Sequence, residues 1–226
     1  MKIRKNLLIF DTETVGTFGK PLIHDLGYVI LDKNLEIVCK KRFLVKELHG
    51  DGQWLLNTSD FFSKYKEDYK TARKHERIVS FKLIFKEMLK DISTYKVNTV
   101  CAYNAQFDIK ALEYTEKFFT QESKMFEKLM KKNILCIWNL ACETIGLTAK
   151  FHSWAYENGM VNAKNHISTS AETMYQYITG NVSYIEAHTA LSDSLDEKEI
   201  LVYCLKHFKG NVEYGLKYNC WMKAQE

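Results

Sequence analysis

Twice along this chain, an apolar run with the pattern of a strand passes almost directly into the pattern of a helix. VNTVCAYN (97–104) is β-branched and apolar, and FDIKALEYTEKFF (107–119) follows it as a predicted helix. In ILCIWNLACETIG (134–146), a short apolar strand runs into a helix that stops at Gly146. Strand, short loop and helix in that order form half of a βαβ unit, whose strands lie parallel and whose helices cover the sheet. The chain is therefore predicted to be an α/β protein.

The N-terminal part predicts antiparallel strands instead. Residues 5–10 have the pattern of a buried strand, and GYVILDK (27–33) and EIVCKKRFLV (36–45) predict two more, joined by a turn around Lys33 and Asn34. A meander of this kind, followed by strands that alternate with helices, predicts a mixed β-sheet, antiparallel first and parallel later, flanked by α-helices.

Three more helices are predicted from the spacing of apolar residues. ERIVSFKLIFKEMLKDI (76–92) has apolar residues three and four apart, which would form a stripe facing the core. A second helix covers 171–179 and ends at Gly180, and a third runs from about residue 192 to 207. The polar and aromatic stretch 46–70 shows no strong period. The stripe of the first of these helices consists of Ile78, Phe81, Phe85, Met88 and Ile92.

Length and composition predict one domain. The 226 residues are 46% hydrophobic, enough for one sizeable core, and no Pro- or Ser-rich linker, internal repeat or low-complexity run marks a boundary. We expect a single domain over 1–226, with its core at about 5–207 and a short C-terminal extension at 208–226.

Charge and cysteines constrain the function only a little. A net charge of +4, with 32 basic and 28 acidic residues, indicates a mild preference for polyanions and identifies no partner. Six cysteines without a C-x-x-C pair are expected to be reduced core thiols. The N-terminal apolar run is too short for a signal peptide, and no segment approaches the roughly 20 apolar residues of a membrane span. These features predict a soluble cytoplasmic protein, in a bacterium or a phage-infected cell for example, with no membrane partner.

The stretch FDTET (10–14) places two acids where the first buried strand is predicted to end. Residues i and i+2 of a strand point to the same face, so Asp11 and Glu13 would project together. Two like charges about 4 Å apart repel by roughly 4 kcal/mol at an effective dielectric near 20, which favours a cation or a proton between them. A solvated strand end is the alternative interpretation.

Two other stretches carry acids at the start of helices. In AYNAQFDIKAL, Asp108 follows a buried strand, where it could also simply complement the helix dipole. In EAHTALSDSLDEKE, Asp193 opens the last long helix and His188 lies five residues before it. Ordinary helix capping is the alternative here, with Ser192 or Asp193 as the N-cap and Ser194 with Glu197 as a capping box, and His188 would then be only solvated.

Taken together, F-D-T-E-T, N-x-x-F-D and H-x-A-x-x-D resemble the three motifs of the DEDDh 3′–5′ exonucleases. This family includes the proofreading epsilon-type subunits of bacterial replicases, RNase T, oligoribonuclease and stand-alone phage and cellular exonucleases. The resemblance covers about residues 5–207 and implies an RNase H-like fold.

The resemblance also implies a metal centre. Two divalent cations, Mg²⁺ or Mn²⁺, would be held by Asp11, Glu13, Asp108 and Asp193, with Asp11 between them. Glu13 and Asp193 would complete the site for the attacking water, Asp108 would lie on the leaving-group side, and His188 would be the general base.

Contacts to the substrate are implied for five residues next to the motifs. The side chains or backbone of Thr12 and Thr14 would touch the terminal nucleotide, and aromatic rings near Asn104 could stack on bases. Tyr103 stands where many members of the family have histidine, and core packing is an alternative role for the aromatic residues. FHSWAYENGMVNAKNHISTS (151–170) has no counterpart in the family and is interpreted as an insertion rather than a substrate lip. The full set of candidates is Thr12, Thr14, Tyr103, Asn104 and Phe107.

The resulting prediction is an exonuclease that releases nucleoside 5′-monophosphates from the 3′ end of single-stranded or frayed DNA. An exoribonuclease that trims RNA 3′ ends is one alternative, and a non-catalytic module that binds nucleic acid or a polymerase is another. A DNA polymerase is a candidate partner if the activity serves proofreading.

Overall fold

The computed structural model describes residues 5–17, 19–50, 53–57 and 66–225, which form an α/β fold around one mixed sheet. β1, β2 and β3 form an antiparallel meander, and β5 and β6 continue the sheet parallel to β1. A short strand, β4, pairs parallel with β3 at the other edge, so the order is β4-β3-β2-β1-β5-β6. The predicted fold class is confirmed. The strands are β1 (Leu7–Thr17), β2 (Lys20–Leu31), β3 (Ile37–Val45), β4 (Arg77–Val79), β5 (Thr99–Ala102) and β6 (Asn133–Cys136).

The helices of the described residues follow the strands in the predicted alternation. Those that position the candidate site are the helix after β5 and the last long helix, here α5 and α10. In chain order the α-helices are α1 (Lys46–His49), α2 (Gln53–Asn57), α3 (Lys66–His75), α4 (Phe81–Thr94), α5 (Ala105–Thr120), α6 (Lys124–Leu129), α7 (Ile137–Ala141), α8 (Ala149–Glu157), α9 (Ala171–Thr179) and α10 (Ala190–His207). A π-helical turn (Cys142–Gly146) extends α7, and a 3₁₀ segment (Cys220–Gln225) follows the last helix.

The first two strands are longer than predicted. β1 continues to Thr17 and β2 begins at Lys20, because the two strands pair along their whole length, from Leu7↔Leu31 to Thr17↔Lys20. Polar residues in the second half of β1 hide this pairing from a pattern search that looks for apolar runs. β3 and the turn between β2 and β3 agree with the prediction.

The amphipathic helix is confirmed with one correction. Phe81, Phe85, Met88 and Ile92 are buried along α4 and belong to the main core. Ile78 was expected in the same stripe, but it lies in β4 and is 38% exposed. The chain at 77–79 is extended because it pairs with the end of β3.

The other predicted helices agree closely with the structure, whereas α6 and α8 were not predicted. α9 ends at Gly180, whose φ of 72° is a left-handed conformation that favours glycine. The turn through 142–146 ends at Gly146, as predicted. Part of the stretch 46–70 lies outside the described residues, and the rest forms α1, α2 and the start of α3.

Both segments left open by the sequence pack against the core. In the stretch 151–170, Phe151 is fully buried in α8, and a bridge pairs Val161 with Ile167. In the C-terminal extension, Gly215 forms a parallel bridge with Leu135 of β6. All six cysteines are free thiols and five are buried, as expected. None of the helices in the described residues is long and apolar enough to cross a membrane.

Candidate functional site

The two acids of the first motif lie inside β1, beside the point where its parallel neighbour ends. Pairing between β1 and β5 stops at Ile9↔Cys101, and Asp11 lies two residues further along β1, opposite Gly27 of β2. The expectation that the acids stand at the end of the strand is therefore wrong. They instead stand in the middle of β1, two and four residues beyond its last pairing with β5.

Gly27 lets the start of α10 lie directly on the sheet at this point. A Cβ atom at Gly27 would lie 2.2 Å from the backbone nitrogen of Leu191, so no other residue fits there without movement. The hydroxyl of Ser194 donates to the carbonyl oxygen of Gly27 at 3.1 Å. This close approach brings Asp193, in the first turn of α10, to the face of β1 that carries Asp11.

The capping alternative for the third motif is wrong. α10 begins at Ala190 after Thr189, so neither Ser192 nor Asp193 is the N-cap residue. Ser194 donates to two carbonyl oxygens rather than accepting from the first turn. Asp193 is buried in the first turn of α10 and is not its N-cap residue.

Three of the predicted residues converge within ligand distance of one another. One ligand atom from each of Glu13, His188 and Asp193 lies within 4.8 Å of the other two. Nδ1 of His188 also lies 3.9 Å from Oε2 of Glu186. A glutamate of β1, an aspartate of α10 and a histidine of the loop before α10 thus form one cluster.

Asp108, the acid of the second motif, contacts a residue of the first motif. Asp108 is 3% exposed, and its Oδ1 accepts a hydrogen bond of 2.8 Å from the hydroxyl of Thr12. After burial, the charge of Asp108 is the strongest influence on the pKa of Asp11, which it raises. Asp108 and Asp11 therefore lie near each other, while Glu13, His188 and Asp193 form the group within ligand distance.

Burial and mutual repulsion raise the pKa values of these acids. Burial raises the pKa of Asp108 to about 7, although the Thr12 hydrogen bond lowers it. Burial and the charge of Asp25 raise the pKa of Glu13 to about 7. Burial, with the charges of Glu186 and Glu13, raises the pKa of Asp193 to about 10. Without a cation, the cluster holds protons near neutral pH.

The donor set fits a hard divalent cation. Oδ1 of Asp193 and Oε2 of Glu197 are buried without a hydrogen-bond partner among the described residues. Buried carboxylate oxygens ordinarily have partners, and Mg²⁺, Mn²⁺ and Ca²⁺ prefer oxygen ligands. A cation among these acids would both satisfy the oxygens and offset the repulsion that raises their pKa values.

Three acids near the cluster were missed by the sequence analysis as parts of the site. Glu197 lies four residues after Asp193 on the same face of α10, a spacing that could have revealed it. Glu186 lies two residues before His188, and its pKa is raised to about 7 by burial and by Glu172. Asp25 pairs with Glu13 across β1 and β2, and this register was hidden by the underestimated length of both strands.

The residues predicted to contact substrate differ in their placement. Tyr103 is 7% exposed and donates to the carbonyl oxygen of Thr169 at 2.7 Å, which favours its packing role over base stacking. Phe107 and Thr14 are partly exposed, and Asn104 is exposed at the start of α5. The buried hydroxyl of Thr12, described above, contacts an acid of the site.

A mixed sheet flanked by helices is a fold that this chain shares with solved nucleases. The crystal structure of cell-death related nuclease 4 (CRN-4) superposes with a TM-score of 0.59 at 14% identity, over 98% of this chain and 76% of that one. Escherichia coli exonuclease I in complex with a dA16 oligonucleotide superposes with a TM-score of 0.54 at 13% identity, over 90% of this chain. The match to the zinc-bound exonuclease I–ssDNA complex has a TM-score of 0.50 at 12% identity, over 88% of this chain.

These similarities show a common fold. The chain spans 44% of the exonuclease I chain in the dA16 complex and 40% in the zinc-bound complex. No protein-family model matches the sequence, and a search of curated proteins found no match.

Proposed function

We propose that this protein is a divalent-metal-dependent 3′–5′ exonuclease that acts on single-stranded or frayed DNA ends and releases nucleoside 5′-monophosphates. The observation that carries the proposal is the convergence of Glu13, His188 and Asp193 within 4.8 Å, from parts of the chain nearly two hundred residues apart. A binding module has no need for a histidine within a partly buried cluster of acids. The activity would reside in one domain with its core at about 5–207.

The four acids would hold the cations. Among the neighbouring charges, that of Asp108 raises the pKa of Asp11 most strongly, and Glu13 and Asp193 lie together with His188. A pair of divalent cations, when bound, would act as Lewis acids that activate water and stabilise the departing 3′ oxygen. Glu197 lies close enough for its charge to raise the pKa of Asp11, and it would support the same centre from α10.

His188 would act as the general base. Its ring nitrogen lies within the acid cluster, and it is only partly buried, so it can exchange protons with solvent. Histidine suits this role because its unperturbed pKa lies near neutrality. Glu186, at 3.9 Å from Nδ1, would orient the ring so that the other nitrogen takes the proton of the attacking water.

Single-stranded DNA is the favoured substrate. Two of the structures with the same fold are exonuclease I bound to DNA oligonucleotides or ssDNA. A 3′-terminal nucleotide must leave its stack to reach this partly buried cluster, which favours unpaired ends. Thr14, Asn104 and Phe107 are the exposed or partly exposed candidates for contacts with that nucleotide.

A single nuclease assay separates the candidate functions. Single-stranded DNA and RNA of one sequence, labelled at the 5′ end, are incubated with the protein in Mg²⁺ or in EDTA. We expect a ladder that shortens from the 3′ end, faster for DNA, and no ladder in EDTA. Faster shortening of RNA would favour the exoribonuclease alternative, and binding without shortening would favour the non-catalytic module.

Matched variants control for contaminating nucleases. Asp11→Asn should abolish the ladder, because it removes a central charge of the acid cluster. Glu122→Gln changes an exposed acid outside the cluster and should leave the rate unchanged. Equal activity of the Asp11→Asn variant and the parent protein would contradict the proposed function.

A further inference from the structure

The loop that carries His188 has an unusual backbone at the histidine itself. His188 has a φ of 51°, in the left-handed region that residues with a side chain adopt rarely. Such a conformation persists where surrounding contacts hold it, and it is frequent at functional sites. The contacts on either side of His188 therefore show what fixes the direction of its ring.

A buried aspartate provides the anchor for this loop. Asp25 is fully buried in β2, directly across from Glu13 of β1. Arg42 of β3 binds it with two nitrogens: Nη2 lies 2.7 Å from Oδ2, and Nε lies 3.1 Å from both carboxylate oxygens. Paired in this way, Asp25 is a fixed acceptor behind the acid cluster.

Oδ2 of Asp25 is linked to the backbone around His188 by two sets of hydrogen bonds. The backbone N–H of Ala190 donates to Oδ2 of Asp25 at 3.4 Å. The hydroxyl of Tyr69, on α3, donates to Oδ2 at 3.0 Å and has the carbonyl oxygen of His188 as a second acceptor at 3.4 Å. The guanidinium of Arg42 lies 5.6 Å from the centre of the Tyr69 ring. Tyr69 thus contacts the backbone of His188, and Asp25 contacts the backbone of Ala190, two residues later.

We propose that Asp25 and Tyr69, supported by Arg42, are positioning residues that hold the His188 backbone so that its ring faces Glu13 and Asp193. Both would act on the reaction through His188, and Asp25 would in addition influence Glu13, whose pKa its charge raises. The inference rests on the proposed function for its catalytic consequence, but the placement of the ring can be tested without catalysis.

The chain contains a matched control for this arrangement. Tyr28 donates to Oδ2 of Asp91 at 2.7 Å, and Lys41 lies 2.5 Å from the same oxygen. This second buried cluster has the same composition of tyrosine, aspartate and cation. Its hydrogen bonds among the described residues do not involve the His188 loop.

The first test compares Tyr69→Phe with Tyr28→Phe, each of which removes one buried hydroxyl. We expect Tyr69→Phe to lower kcat about 10- to 100-fold, the range for a misplaced catalytic group, with KM within about twofold of the parent value. Tyr28→Phe should leave both constants unchanged even if it lowers Tm. Equal effects of the two variants on kcat would overturn the inference.

A double-mutant cycle with His188→Ala tests the route through the histidine. If Tyr69 acts through His188, Tyr69→Phe should have no further effect on the residual rate of the His188→Ala variant. If Tyr69→Phe lowers the rate of the His188→Ala variant by the same factor as the rate of the parent protein, Tyr69 acts independently of His188. That result would contradict the proposal.

The placement of the His188 ring can be measured by NMR, which does not depend on nuclease activity. In ¹H–¹⁵N spectra of the metal-free protein, Tyr69→Phe should shift or split the ring signals of His188, whereas Tyr28→Phe should not. Unchanged His188 signals in Tyr69→Phe would overturn the inference. A parent protein without nuclease activity would overturn the proposed function, and these spectra would still decide whether Tyr69 positions the ring.

Discussion

At the scale of single residues, a threonine joins two motifs that lie far apart in the sequence. Thr12 stands between the two acids of β1, and its hydroxyl donates to Asp108 of α5. The predicted substrate contact of Thr12, through its backbone or its side chain, stays a prediction, and its side chain is buried against an acid. Its hydrogen bond lowers the pKa of Asp108 and thereby favours the charged form that would bind a cation.

Replacing Thr12 by Val should weaken cation binding. The hydroxyl is lost without a large change in volume, so the pKa of Asp108 should rise further above its ordinary value. A hydrogen bond to a charged group contributes about 1.5–3 kcal/mol, so we expect roughly 10- to 100-fold more Mg²⁺ for half-maximal rate at neutral pH. The measurement is the rate as a function of Mg²⁺ concentration.

Thr144→Val is the control for this substitution. Thr144 donates to the carbonyl oxygen of Leu140 within its own helical segment, away from the acids. Its replacement should leave the Mg²⁺ dependence unchanged. The same requirement for Mg²⁺ in Thr12→Val and Thr144→Val would show that the Thr12 hydroxyl does not support Asp108.

The residues of the candidate site differ in how far the sequence could predict them. Asp11, Glu13, Asp108, His188 and Asp193 stand in short motifs with fixed spacing, so pattern and order were enough to select them. The anchor Asp25 has no such motif, because its role depends on a pairing across two strands and on donors from β3, α3 and the first residue of α10. Only coordinates reveal contacts of that kind.

At the scale of elements, the crossing of α10 over the sheet decides whether the motifs meet. The helix crosses β2 at Gly27, where a side chain would collide with the backbone of Leu191 and Ala190. The sequence predicted the helix but not its contact with Gly27, because a glycine within an apolar strand does not indicate which element packs on it.

Gly27→Ala should displace the start of α10. The added methyl group would lie 2.2 Å from the backbone nitrogen of Leu191, and overpacking of this kind typically costs about 1–3 kcal/mol. We expect a lower Tm and a loss of activity larger than the loss of stability explains, because Asp193 and His188 move with the helix. Thermal unfolding and the nuclease rate at a temperature well below Tm measure the two effects.

Gly19→Ala provides the comparison, because a Cβ at Gly19 meets no atom within 4 Å. That variant should keep the parent Tm and rate. Full activity of Gly27→Ala at a temperature where it is folded would show that the helix can shift without disturbing the site.

At the scale of the whole molecule, the buried acids couple folding to pH. The pKa values of Glu13 and Asp108 are raised to about 7, well above those of the unfolded chain near 4. A raised pKa means that the folded state binds more protons than the unfolded state between these values. The contribution of these two groups to the free energy of unfolding of the metal-free protein should therefore be largest below about pH 4. It should fall as pH rises towards 7.

Thermal unfolding from pH 5 to 8 tests this coupling. In EDTA, Tm should fall as pH rises, by about 2–4 °C for each kcal/mol lost in a protein of this size. Mg²⁺ should raise Tm more at pH 8 than at pH 5, because it binds the charged acids and competes with protons. Glu13→Gln should flatten the pH dependence in EDTA, and an unchanged slope in that variant would contradict the assignment.

The overall architecture was largely predictable from the sequence. The meander, the alternation of strands and helices and the amphipathic α4 follow from periodicity, which reflects burial on one face. The exceptions have identifiable physical causes: β1 and β2 extend through polar residues, and Ile78 joins a strand because of pairing with β3. The predicted domain limits and the site roles remain predictions that the experiments above address.

The bridge between Gly215 and Leu135 has a consequence for solubility. β6 is the last strand of the sheet, and its outer edge would offer unpaired N–H and C=O groups to another chain if the C-terminal residues did not lie along it. Removal of 208–226 should therefore promote self-association through this edge, detectable as larger species in light scattering at a concentration where the parent protein stays dispersed. A truncated protein that remains monodisperse would indicate that four residues of β6 are too short an edge to recruit a partner strand.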